Sequence, residues 1–183
     1  MSSRDKAVRR LMLEHSLQLV KHPNPVLRKK ADLVDLDNLD VEKMEDCLNQ
    51  MGRIMMDNDG IGLAAPQCGI LEQFFIMQVD DSVHYMINPT WSPLTDETIS
   101  SMEGCLSFPD LLIPVDRFLI IEATYYDMFG KKLTTELSGL HARCFQHEAD
   151  HLDGNCIDKK VSPLILSMAK RKARKARKQK NGI

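Results

Sequence analysis

Apolar side chains recur along this chain with two different periods. Between Asp40 and Asp57, the residues Val41, Met44, Leu48, Met51 and Ile54 or Met55 fall at steps of three and four, which predicts a helix with one apolar face. Asp57-Asn58-Asp59-Gly60 is a stop signal for it. The GIGLAAPQ run, residues 60 to 67, reads as a small-residue loop. Phe74 to Val79 and Tyr85 to Ile87 predict strands on either side of the polar turn Asp80-Asp81-Ser82, with Asn88-Pro89 breaking the second. A loop containing Pro93 then leads toward EGCLSFP, residues 103 to 109. Leu119 to Tyr126 predicts a strand, Asp127 to Gly130 a turn, and Lys132 to Leu137 the return strand of a hairpin. From Gly139 to Leu152 the period becomes helical again, with Ser138 placed to cap the start and Gly154 to end the element. Strands in short hairpins around one internal helix predict an α+β fold and not a doubly wound sheet.

Length and charge refine this picture. The 183 residues suit one domain with short appendages. No apolar run approaches the roughly 20 residues of a membrane helix. The first 16 residues mix Arg4, Arg9 and Arg10 with Asp5 and Glu14 and have no apolar core, unlike a secretion signal. They are read as an N-terminal extension, and a cytoplasmic location is expected; an organelle is the alternative if they belong to a targeting segment. Five cysteines, an odd number, argue for free thiols in a reducing compartment. The net charge of -2 conceals an asymmetry: positions 170 to 180 hold eight Lys or Arg, leaving 16 basic against 26 acidic side chains elsewhere. The expected division is therefore an extension over 1–16, a catalytic domain over 17–167 and a basic tail over 168–183.

The chemistry concentrates at His147-Glu148-Ala149-Asp150-His151, an HExxH pattern. On a helix, positions i and i+4 share a face, so two imidazoles can grip one metal ion while the adjacent glutamate reaches a water on it. The bland alternative is a solvated helix with charge-paired histidines. Against it, Leu140, Cys144, His147 and His151 lie on one face at steps of four, three and four, apolar up to the histidines. A metal needs a third ligand. The extended pattern HExxHxxGxxH finds its glycine in Gly154 but Ile157 in place of the last histidine, and no acid follows Asp158. The third ligand is thus upstream, or is Asp153 or Asp158. Cys105, in Glu103-Gly104-Cys105-Leu106-Ser107, stands out as an upstream candidate, although a lone cysteine is more often a structural one.

Three motifs together, GIGLAAPQ at 60 to 67, EGCLS at 103 to 107 and QHEADH at 146 to 151, resemble those of the peptide deformylases, in the family's order. The resemblance runs from about Leu19 to Pro163 and takes in VLRKKA (26 to 31), Arg117 and Gly139-Leu140. It implies antiparallel sheets packed around a central helix that carries HExxH. It also implies a single divalent metal on Cys105, His147 and His151, typically Fe2+, with Zn2+, Ni2+ or Co2+ as substitutes. The implied reaction removes the formyl group from N-formylmethionyl nascent peptides through hydroxide generated on the metal. Glu148 would serve as general base and acid, with Gln67 and the Leu106 N–H as oxyanion donors. Gly60, Ile61, Gly62, Gly104, Leu140, Cys144 and Arg117 would contact the substrate, with Ile61, Leu140 and Cys144 around the methionine side chain. Glu103 and Arg117 would buttress the cysteine loop or the groove. Cys68 departs from the family pattern, where an aliphatic residue is common, and is expected to be sensitive to oxidation.

Two competing readings remain at this stage. One is another metal hydrolase, such as a small peptidase. The other is a ribosome- or RNA-binding protein with a structural HExxH. The basic tail fits ribosome docking through phosphate contacts; neither DNA nor a membrane is expected as a partner.

Overall fold

The structure is a computed structural model, and it describes residues 16–180. The extension over 1–16 therefore lies, apart from Ser16, outside the described residues.

Helix α1 spans Val41–Asp57. The Asp40 side chain caps it by accepting from the Lys43 N–H, which supplies one of the partners that a helix start lacks. Its buried face is Met44, Cys47, Leu48, Met51 and Met55. Val41 lies at the exposed rim, and Met55 rather than Ile54 completes the stripe. Five strands, β1 (Gly62–Ala64), β2 (Phe74–Val79), β3 (Ser82–Pro93), β6 (Ile120–Tyr126) and β7 (Lys132–Ser138), form one antiparallel sheet in the order β1-β2-β3-β6-β7. Strand β2 is covered on both faces. Phe74 and Ile76 pack with α1, whereas Phe75 and Met77 pack on the opposite side with Ala142 and Phe145 of a second helix. That helix, α2, spans Gly139–Leu152, and Ser138 stands at its N-cap position without a side-chain cap bond. Gly154, at φ 68°, follows its end, a backbone conformation that favours glycine. No described helix is long and apolar enough to cross a membrane.

A second sheet has two strands, β4 (Thr98–Cys105) and β5 (Phe108–Phe118), joined by the two-residue turn Leu106-Ser107. The sequence reading placed a loop before EGCLSFP; that segment is strand. It also ended β3 at Ile87, but the strand continues to Pro93 across an irregularity between Ile87 and Thr90, where Asn88 takes φ 49°. The bulge lets Pro89 sit where its missing N–H costs no ladder bond. GIGLAAPQ is likewise not all loop: it contains β1 and a 3-10 turn over Ala65–Cys68. The third helix, α3 (Pro163–Lys180), starts five residues before the expected tail at 168. It lies against β5, with Leu166 and Ala169 on the cluster formed by Leu27, Phe108, Leu111, Ile113 and Val115.

Candidate metal centre

Two pieces of chain bring the candidate ligands together. Helix α2 presents His147 and His151 one turn apart, and the end of β4 presents Cys105. Their ligand atoms all lie within 4.8 Å of one another, and Cys105 Sγ is 3.3 Å from His151 Nε2. One thiolate and two neutral imidazoles form a donor set that suits a transition-metal ion and leaves a coordination position open. Burial drives the His151 pKa well below its ordinary value, with further push from His147, Arg117 and Arg28, so its ring nitrogen keeps a free lone pair.

His147 is oriented from behind. Its Nδ1 lies 2.9 Å from Glu103 Oε2. Glu103 also accepts two bonds from Arg117, at 2.9 and 3.0 Å, and one from Arg143 at 2.7 Å. Burial alone would raise the Glu103 carboxyl, but the bonds from His147 and Arg117 outweigh it and bring the pKa down to about 2. The bonds to Cys105 and Glu103 outweigh burial and raise the His147 pKa to about 10, so a metal would take Nε2 in place of a proton while the ionised Glu103 keeps the hydrogen on Nδ1, the usual way a carboxylate fixes a ligating imidazole. Arg117 further pairs with Asp150, and Arg143 donates to the carbonyls of Val115 and Ile99. The two arginines therefore stitch the β4–β5 hairpin to α2. Arg117 and Glu103, both about 5% exposed at their side chains, form a buried pair beside the cysteine loop. Arg117 stands behind Glu103 and does not line the cavity. Arg143 was not anticipated. Its place four residues before His147, on the same helix face, was the available signal.

Glu148 points into the site from the other side. It is buried, and burial pushes its carboxyl up to about 7, against the opposing pull of His147. Among the described residues, its Oε2 is a buried side-chain oxygen without any hydrogen-bond partner. Buried polar atoms are almost always paired, so this orphan marks where a water or a substrate atom belongs. Gly62 makes room for it, since a Cβ there would lie 2.7 Å from Cys144 Sγ and 2.9 Å from Glu148 Cδ. Gln67 is fixed in the opposite wall. Its Oε1 accepts from the Ala64 N–H at 2.8 Å, so its NH2 must face Ser107 Oγ, at 3.2 Å, and Cys105 Sγ, at 3.6 Å.

A cavity of about 700 Å³ opens beside these groups, lined by Gly60, Ile61, Gly62, Gly104, Leu140 and Cys144 as well as Gln67, Cys105, Leu106, His147 and Glu148. Leu140 is exposed, so the apolar face foreseen for α2 does not hold at its first turn; the side chain borders the cavity mouth instead. All five cysteines are thiols. Cys68 is buried with its pKa pushed up to about 12 by burial, which leaves little reactive thiolate and removes the expected sensitivity to oxidation. The tail is not separate from this region: Ala176 of α3 lines the same cavity.

The family model described as polypeptide deformylase matches residues 16–165. A peptide deformylase from Thermotoga maritima is 38% identical over 149 residues, which cover 81% of this chain and 89% of that one. The crystal structure of a peptide deformylase from Synechococcus elongatus in complex with actinonin superposes with TM-score 0.79 at 35% identity, over 88% of each chain. A Plasmodium falciparum peptide deformylase in complex with an inhibitor superposes with TM-score 0.75 at 32% identity, over 86% of this chain and 97% of that one.

Proposed function

The chain belongs to the peptide deformylase family, metal-dependent hydrolases that remove the N-formyl group from nascent peptides, and from that premise we propose that Cys105, His147 and His151 hold the metal while Glu148 moves the protons. When bound, the metal supplies a water of lowered pKa and a Lewis-acid contact for the formyl oxygen. Iron, zinc, nickel and cobalt all suit the donor set, with ferrous iron the family's usual ion. Glu148 takes a proton as water adds to the formyl carbon and returns it to the departing amine, yielding formate and a free N-terminus. A carboxyl held near 7 can do both at neutral pH. The Gln67 amide and the Leu106 N–H donate to the formyl oxygen as it gains charge; both residues line the cavity. Ile61, Leu140 and Cys144 take the methionine side chain. The peptide backbone runs along Gly60 to Gly62 and past Gly104 as an added strand, for which β1, at the edge of its sheet, is suited.

The unpartnered Glu148 Oε2 beside the Cys-His-His cluster carries this reading. Its test is formate release from formyl-Met-Ala-Ser by anaerobically purified protein of measured metal content, with acetyl-Met-Ala-Ser as control. Hydrolysis of the acetylated or an unblocked peptide, without formate release, would replace it with a general metal peptidase. We further propose that the cationic α3 docks on ribosomal RNA phosphates, close to the source of the substrate. Ribosome binding should weaken steeply with salt. Equal binding by a chain ending at Ser167 would remove this docking and leave the hydrolase reading intact.

A further inference from the structure

The cavity continues past the region assigned to the formylated methionine. Its wall includes Phe108, Pro109, Asp110 and Leu111, and the same four residues line a second hollow of about 240 Å³ together with His22, Lys170, Ala173 and Arg174. α3 borders both hollows as well: Ala176 lines the first and Ala173, one turn back, lines the second. The two hollows thus share their β5 lining and border the same stretch of α3.

The sequence of α3 explains how this is built. Ala169 and Ala173, four residues apart, are half-buried and let the helix lie against β5, while Ala176, three further on, is exposed at the first hollow. Lys170 and Arg174, four residues apart, flank that face and are exposed. Within the first hollow the charges are mixed. Lys21 is set against Asp59 and Asp110, and Arg143 is engaged by Glu103. The second hollow sets two cations of α3, Lys170 and Arg174, against the one carboxylate of Asp110, so positive charge prevails there. The acidic body elsewhere would repel an anionic chain; this outlet would attract one.

We propose that the second hollow is a distal subsite for the substrate peptide, in which Lys170 and Arg174 favour carboxylate side chains several residues beyond the formylmethionine. The proposal rests on the deformylase reading of the metal centre. It makes α3 a wall of the substrate groove in addition to any role on the ribosome. An extended peptide that leaves the first hollow along β5 meets the two cations on a partly enclosed surface, where charge attraction exceeds that at an open one.

The test uses the full-length, metal-loaded protein and formyl-Met-Ala-Ser extended by four Glu, four Gln or four Lys. Formate release gives kcat and KM for each. The Glu series should exceed the Lys series in kcat/KM by at least about fivefold at low salt, through KM, and the gap should shrink as the Debye length falls below ~10 Å. In the double variant Lys170→Glu, Arg174→Glu the order should invert. Equal kcat/KM across the three series would overturn the subsite, as would an unchanged preference in the double variant. If the variant loses ribosome binding while peptide preference stays flat, the cations serve RNA and not the peptide, and the proposal fails. Absence of formate from every formylated peptide would instead count against the deformylase reading itself.

Discussion

Replacing Gly62 by alanine adds one methyl group at the tightest point of the site. The new Cβ would stand 2.7 Å from Cys144 Sγ, 2.9 Å from Glu148 Cδ and closer still to Glu148 Oε1. Ordinary van der Waals contact begins near 3.4 Å. The backbone cannot retreat cheaply, because Gly62 is paired with Met77 in the β1–β2 ladder and Ala64 is tied to Gln67. The carboxylate must therefore move, by an amount approaching 1 Å. A displacement of that size in a proton-transferring group costs about 100-fold in rate. Overpacking adds roughly 1–3 kcal/mol of lost stability. Formate release should accordingly fall about 100-fold in kcat, with metal content unchanged, since no ligand is touched. Thermal melting separates the two effects. Adding Cys144→Ala removes the thiol clash but not the carboxylate clash, so activity should stay low in the double variant. Wild-type turnover in Gly62→Ala would refute the placement of Glu148, and full recovery in the double variant would show that the thiol was the obstacle.

Glu148→Ala should keep its metal and lose at least about 100-fold in kcat, without a lower melting temperature, because the residue leaves an oxygen unpaired; metal analysis alongside formate release checks both, and loss of metal would make Glu148 structural. Cys105→Ser should weaken metal binding by more than the roughly 10- to 100-fold typical of losing an outer partner, read by competition with a chelator; full occupancy with normal turnover would dismiss this ligand set. The Glu103 carboxyl lies at about 2 against an ordinary 4.5, so its stabilisation is fully present above about pH 4.5 and is lost as pH falls through 2. The gap corresponds to roughly 3 kcal/mol. Glu103→Gln should therefore be less stable at neutral pH and lose less of its remaining stability on acidification; parallel acid-melting slopes for the two proteins would disprove the role.

The periodic elements were legible in the sequence. α1 and the β6–β7 hairpin each bury one face, and their apolar spacing follows directly from that; α2 is buried nearly all round from Cys144 to Glu148 and was legible from its motif and its end signals. The β4–β5 hairpin was not legible, for two physical reasons. Thr98–Met102 is exposed, so nothing enforces alternation, and β5 contains Pro109 and Pro114, which a two-stranded sheet tolerates because both strands are edges. At the centre, the motifs pointed to the three candidate ligands and Glu148, which the fold brings together. They gave no depth: that Glu103 is buried, that Arg143 joins it and that Arg117 stands behind the wall depend on how the hairpin folds over α2. The extent of α3 was obscured by its composition, because its packed residues, Leu166 and Ala169, lie just before and at the edge of the basic run.

The candidate ligand set joins segments up to 46 residues apart in the chain, the tip of a two-stranded hairpin and the second half of a helix. An ion held there would act as a reversible cross-link that closes a long loop, and closure of such loops carries an entropic cost that a bound ion offsets. Amide hydrogens of β4 and β5 should then exchange with solvent faster once the ion is stripped, while those of β2, covered on both faces, keep their protection. On this view the ion shapes the energy landscape of the hairpin as well as the reactivity of the site, and its loss would be felt first as motion at the Leu106-Ser107 tip.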